Sequence, residues 1–209
     1  MISIVFLSFC LSFAAVAFLL PPVRRVALRF GLVDNPGGRK KHEGAVPLAG
    51  GLVIFPGFMI LVAFTRPDWQ VYGPFFLALG LLLAVGALDD KRGVPAWIKF
   101  GVQFVAAFLI VIPGQAQIIM LGDLFGFGRF GLNFMAIPFS VVAVVLLINA
   151  INLMDGLDGL SGGKGFVIML WLALACMAQG AFLALMPVVI LMRALAGFLL
   201  YYMRPHVPR

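Results

Sequence analysis

Long apolar runs alternate with short polar ones along the chain, at a spacing that predicts membrane-spanning helices. Crossing roughly 30 Å of hydrocarbon at about 1.5 Å per residue takes about 20 apolar residues. About seven candidate spans follow, near residues 2–20, 48–65, 72–88, 98–112, 134–148, 166–178 and 182–202, the fourth and sixth of them short. The pattern predicts an all-α fold, a polytopic helical bundle forming a single membrane domain over residues 1–209. Between the first two spans, four glycines and two prolines precede the Gly50-Gly51 pair, which argues for a shaped loop over a continued helix. Residues 113–133 read as a re-entrant or surface loop, and Arg66-Pro67-Asp68-Trp69 as an interfacial turn with an aromatic anchor. Gln103 inside the fourth span predicts a hydrogen bond between helices. Arg193 inside the seventh needs a partner or a wet path.

Composition sharpens this picture. Of 209 residues, 63% are hydrophobic and only 11% charged, which excludes a soluble globular domain. The net charge of +7 is unevenly spread. With the N-terminus outside, the first inner loop carries Arg24, Arg25, Arg29, Arg39, Lys40 and Lys41. The second carries Lys91, Arg92 and Lys99, the third Lys164, and the cytoplasmic tail Arg204 and Arg209. Outer loops keep Arg66 and Arg129, so each turn obeys the positive-inside rule. A basic inner face suits membrane lipids with anionic headgroups or phosphorylated substrates. Nucleic acid fits poorly, because the basic residues are interspersed among spans and form no separate domain. Cys10 and Cys176 lack metal-type spacing and read as small apolar packers. Ala15-Val16-Ala17 superficially suits a signal cleavage site, but the positive charges follow the first span, which favours a retained anchor.

Candidate chemistry concentrates in three polar stretches, all on the predicted inner face. The first, Asp34-Asn-Pro36-Gly-Gly-Arg39-Lys40-Lys41-His42, gathers donors for phosphate oxygens, although a basic loop that only enforces topology has the same composition. The second is Asp89-Asp90, at the end of the third span. Adjacent carboxylates at a helix C-terminus oppose the helix dipole, so something cationic must compensate them. Lys91 and Arg92 are one source, and a metal or a proton-transfer role is the other. The third runs from Asn149 through Asn152, Asp155 and Asp158 to Gly163, directly after an apolar run. If it stays helical, Asn149, Asn152 and Asp155 share one face. A polar loop in which Asp155 or Asp158 caps the next helix is the plain alternative. A cation and phosphate site is the other, since Mg²⁺ takes one or two carboxylates plus substrate phosphate and water. Lys164 stands at the mouth of the sixth span, suited equally to a phosphate or to the inside rule.

Together, Asp34-x-Pro36-x-x-Arg39-Lys40-x-His42-x-x-x-x-Pro47-x-x-Gly50-Gly51, Leu88-Asp89-Asp90 and Asn149-Ala-x-Asn152-x-x-Asp155-Gly-x-Asp158-Gly resemble three signature motifs of the polyprenyl-phosphate N-acetylhexosamine-1-phosphate transferases. The first loop is more similar to the undecaprenyl-phosphate N-acetylglucosamine-1-phosphate branch than to the muramyl-pentapeptide one. The resemblance implies an inner-membrane enzyme that moves a sugar 1-phosphate from a UDP-sugar to a polyprenyl phosphate. It would release UMP, depend on Mg²⁺ with Mn²⁺ as the other choice, and start a cell-envelope glycan such as O-antigen. It further implies that Asp89 and Asp90 act on the lipid phosphate or the metal. Asn149, Asn152, Asp155 and Asp158 would face the nucleotide, the diphosphate and the metal, and Arg39, Lys40, His42 and Lys164 would hold phosphates. Family members have about ten spans and continue into a Gly-Asp-x-Gly-Ser motif whose Asp binds the metal, and none of the acidic residues here fills that role. The chain is therefore expected to correspond to the N-terminal two-thirds of a transferase: a fragment, a split protein needing a complementing C-terminal chain or a homodimer, or a decayed copy. An ion-coupled transporter and a non-catalytic scaffold are the competing classes.

Overall fold

The computed structural model describes residues 33–34, 46–47, 49–63, 65, 68–123, 126, 128–153 and 160–202. Among them the architecture is helical: α1 Ala49–Ala63, α2 Trp69–Arg92, α3 Ala96–Val111, α4 Ala136–Leu153, α5 Leu160–Ala178 and α6 Phe182–Tyr202. These coincide with the second to seventh expected spans, and the first lies outside the described residues. α2, α4 with the 3₁₀ turn Asn133–Met135 before it, α5 and α6 are each long and apolar enough to cross a membrane. α3, at 16 residues, is about 24 Å long and falls short of the hydrocarbon thickness, as does the apolar part of α1. The sixth span is longer than expected because Gly162 and Gly163 are carried inside α5.

Helix ends follow local chemistry. The Asp68 carboxylate accepts the Gln70 N–H at 2.9 Å and caps α2, whose last turn carries Lys91 and Arg92 against the carbonyl end of the dipole. Gly93, at φ +68°, closes α2 by donating its N–H to the Asp89 carbonyl at 2.8 Å. Pro95 then precedes α3. α5 and α6 are joined by Gln179, Gly180 and Ala181, with Gly180 at φ +65° and the Ala181 N–H on the Cys176 carbonyl. β1 (Val33–Asp34) and β2 (Val46–Pro47) form a two-residue antiparallel ladder, Val33 opposite Pro47 and Asp34 opposite Val46. That ladder and the isolated Met120–Gly131 bridge are the β pairing found among the described residues.

The chain forms two compact units, one of residues 68–89 and 93–153, the other of 1–67, 90–92 and 154–209. In the first, α3 packs against α4 around Ala107, Val111, Val141 and Val145, while the larger Phe100, Phe104 and Phe108 of α3 are exposed. Small side chains inside and large ones outside is the membrane arrangement, in which close backbone approach replaces hydrophobic burial as the source of packing energy. In the second unit, α6 packs against both α1 and α5. Gly162 and Gly165 make the α5–α6 approach possible, since a Cβ at these positions would stand 3.1 Å from Leu199 Cδ2 and 3.3 Å from Leu195 Cδ1. Arg193 is 7% exposed in α6, inside the unit and away from its outer surface.

Candidate functional site

Asp89 sits in the last turn of α2 and is held from three directions. Its carbonyl takes the Gly93 N–H, its Oδ1 accepts the Val94 N–H at 2.8 Å, and its Oδ2 accepts from Lys99 Nζ at 2.8 Å. Both members of the Lys99–Asp89 pair are about one-third exposed. The cation required by the Asp89-Asp90 pair is thus supplied in part by Lys99, from the first turn of the next helix. Asp90 is exposed, as are Lys91 and Arg92.

One turn further along α3, Gln103 lies at i+4 from Lys99 and is buried. Its Oε1 accepts from Asn149 Nδ2 at 2.6 Å, and its Nε2 donates to Asn149 Oδ1 at 3.5 Å. Asn149 Nδ2 also donates to the Val145 carbonyl of its own helix at 2.8 Å. The interhelical bond expected of Gln103 is present, and its partner is a residue of the third polar stretch. One face of α3 therefore carries a polar seam, Asp89–Lys99 followed by Gln103–Asn149, that connects the end of α2 to the end of α4. Asn152, at i+3 from Asn149, is exposed in the last turn of α4.

Of the residues expected from sequence, Asp89, Asn149 and Asn152 belong to the first unit, and Asp90 and Lys164 to the second. Lys164 is half-exposed near the start of α5. Asp155 and Asp158 lie outside the described residues, as do Arg39, Lys40 and His42. The β1–β2 ladder nonetheless closes the base of the loop that carries those three. Lys99 was legible only as a topology charge. The Lys99-x-x-x-Gln103 spacing sets two long polar side chains on one face of an otherwise apolar helix, but it does not name Asp89 as a partner.

Among the described residues no three His, Cys, Asp or Glu side chains gather to hold a metal ion. Both carboxylate oxygens of Asp89 already accept a hydrogen bond. The described residues therefore do not by themselves complete a Mg²⁺ site, and no chemical step is assigned to the ion here.

Comparison with known proteins agrees with the motifs. A probable undecaprenyl-phosphate N-acetylglucosaminyl 1-phosphate transferase of Bacillus subtilis (strain 168) is 34% identical over 208 residues, covering 95% of this chain and 55% of the relative. Undecaprenyl-phosphate alpha-N-acetylglucosaminyl 1-phosphate transferases of Salmonella typhi and Pasteurella multocida are 34% identical over 105 residues and 29% over 120. These alignments cover 49% and 57% of this chain, and 28% and 34% of the relatives. The chain thus spans about half the length of its Bacillus relative, and less of the other two. The model of glycosyl transferase family 4 matches residues 72–207, a stretch that takes in the acidic pair, the polar seam and the third motif, and the chain belongs to that family.

Proposed function

We propose that this chain carries out phosphoglycosyl transfer, moving N-acetylglucosamine 1-phosphate from UDP-N-acetylglucosamine to undecaprenyl phosphate with release of UMP. The supporting observation is that the family match at residues 72–207 contains Asp89, Asp90 and the polar stretch 149–163, in relatives named for that transfer. An oxygen of the lipid phosphate attacks the β-phosphorus of the sugar nucleotide. The bond from that phosphorus to the oxygen bridging the two phosphates breaks, and the bridging oxygen leaves with UMP. Two polyanions must meet, so cations have to offset their repulsion, and Arg39, Lys40, His42 and Lys164 are the side chains assigned to that task. Asp90 is assigned to the lipid phosphate, and Asn152, Asp155 and Asp158 to the nucleotide side. Asp89 and Asn149, tied into the seam, fix the ends of α2 and α4 that carry Asp90 and Asn152. Mg²⁺, with Mn²⁺ as substitute, would be held by Asp90, Asp155 and Asp158 and would supply further positive charge to offset the phosphates. The reaction is proposed to run on the cytoplasmic face of the bacterial inner membrane, a reading supported by the positive-inside distribution of the basic residues, and would start a cell-envelope polysaccharide.

Membranes containing the chain, supplied with UDP-N-acetylglucosamine labelled in the sugar and with undecaprenyl phosphate, are expected to form a solvent-extractable labelled lipid and equimolar UMP. Asp90→Asn and Asp155→Asn should each lower the rate on the order of 100-fold or more. Rates unchanged from the unaltered chain in both variants would reject the site. Ion-driven solute uptake without UMP would replace the reading with a transporter.

A further inference from the structure

The connection between α3 and α4 is a β-hairpin whose base lies below the end of a membrane helix. Leu121 N donates to the Phe130 carbonyl, Phe130 N to Gly122, and Leu132 N to Ile119, around the Met120–Gly131 bridge. The hairpin is pinned sideways to α4 by Ser140, whose Oγ accepts the Ile118 N–H at 2.8 Å and donates to the Ala136 carbonyl at 2.6 Å. Ser140 is buried and stands a full turn inside α4, within the apolar span Asn133–Leu153. Ile118 is therefore held at the depth of a transmembrane segment, not above it.

The side chains at that depth are apolar and uncovered. Ile119 is 62% exposed, Phe130 63% and Phe134 87%, and Met120, on the opposite face of the ribbon from Ile119 and Phe130, is also exposed. Ile137, Phe139 and Val142 at the start of α4 are exposed as well. Two charged residues of the same connection are exposed as well: Asp123, whose Oδ1 accepts the Gly128 N–H, and Arg129. Exposed apolar and charged side chains thus lie within a few residues of each other, as at a bilayer surface. Met120 and Gly131 form the pair whose own N–H and C=O groups point away from the partner strand, and those groups need water within reach. Both demands are met at the boundary between acyl chains and headgroups.

We infer that the base of this hairpin, Ile118–Met120 and Phe130–Leu132, with Phe134 beside it, is a lipid-binding surface seated in the interfacial region of the leaflet into which α3 ends and α4 begins, with Asp123 on its water side. The inference does not depend on the transferase reading. To test it, Cys10→Ser and Cys176→Ser are combined with a single cysteine at Ile119, Phe130 or Asp123. Each variant is labelled with a nitroxide in phosphatidylcholine–phosphatidylglycerol liposomes. Collision with oxygen relative to a water-soluble nickel chelate is expected to be at least several-fold greater at positions 119 and 130 than at 123. Equal access of the chelate to all three positions would put the hairpin in water and overturn the inference. Protection of 119 and 130 from both reagents would mean that protein covers them, and would overturn it equally. In the unaltered chain, a phospholipid carrying a photoreactive diazirine near the glycerol end of its acyl chain should label residues 118–134, and no labelling there would count against the proposal.

Discussion

Asn149 illustrates how a residue that looks like a substrate ligand can be occupied by its own protein. Its amide is spent on Gln103 and Val145, so its two candidate roles make different predictions. Asn149→Leu strands the buried Gln103 amide and should destabilise the first unit by about 1–2 kcal/mol. The double variant Gln103→Leu/Asn149→Leu removes both partners and should be more stable than either single variant, as read by thermal unfolding in detergent. If transferase activity returns with stability, Asn149 acts through the seam; if it stays lost, Asn149 also meets substrate. For the half-exposed Lys99–Asp89 pair, water screens the charges, and Lys99→Met should lower stability by about 1 kcal/mol or less. Its larger effect is expected on turnover, because the same carboxylate accepts the Val94 N–H and Asp90 is the next residue along the chain. Lys99→Arg should restore most of that turnover.

Helices were far more legible than the segments between them. Apolar length located six of them within a few residues, since hydrophobicity over 15 or more positions is a strong signal. What it missed has a physical reason in each case. α5 begins at Leu160 and not Phe166, because Gly162 and Gly165 serve helix packing and do not break the helix. The 118–132 hairpin was only a loop in the sequence, since its apolar residues face outward on both sides and give no alternation to read. Gly114 tests the α3 end of that connection. A Cβ there would stand 2.4 Å from the Ile110 carbonyl oxygen, a backbone atom that cannot swing aside. Gly114→Ala should therefore destabilise the first unit by about 1–3 kcal/mol. Gly162→Ala, whose tightest approach is to the flexible end of Leu199 with Phe198 Cε1 at ordinary contact distance, should cost about 1 kcal/mol or less, and comparing the two melting curves checks the distinction.

Across the whole chain, the motifs disclosed the family, whereas the seam that supports them emerged only from coordinates. Asp89-Asp90 and Asn149–Asp158 announce themselves because carboxylates and amides are rare at the end of an apolar run. Lys99 and Gln103 do not, because a basic residue at a helix entrance and one amide within a span each have an ordinary explanation. If the transfer depends on Mg²⁺, chelation of membranes with EDTA should abolish lipid-linked product. Mg²⁺ should restore it and Mn²⁺ restore part, while Ca²⁺, larger and less strict in geometry, should restore little. Product formed at an unchanged rate in excess chelator would remove the ion from the proposal.

The three-residue junction at Gly180 also bears on how the protein is made. With Gln179, Gly180 and Ala181 alone between two apolar helices, α5 has no room to settle in the bilayer before α6 emerges. The two must leave the ribosome's membrane channel as one antiparallel pair, so the basic side chain at the start of α5 sets the direction of both during biosynthesis.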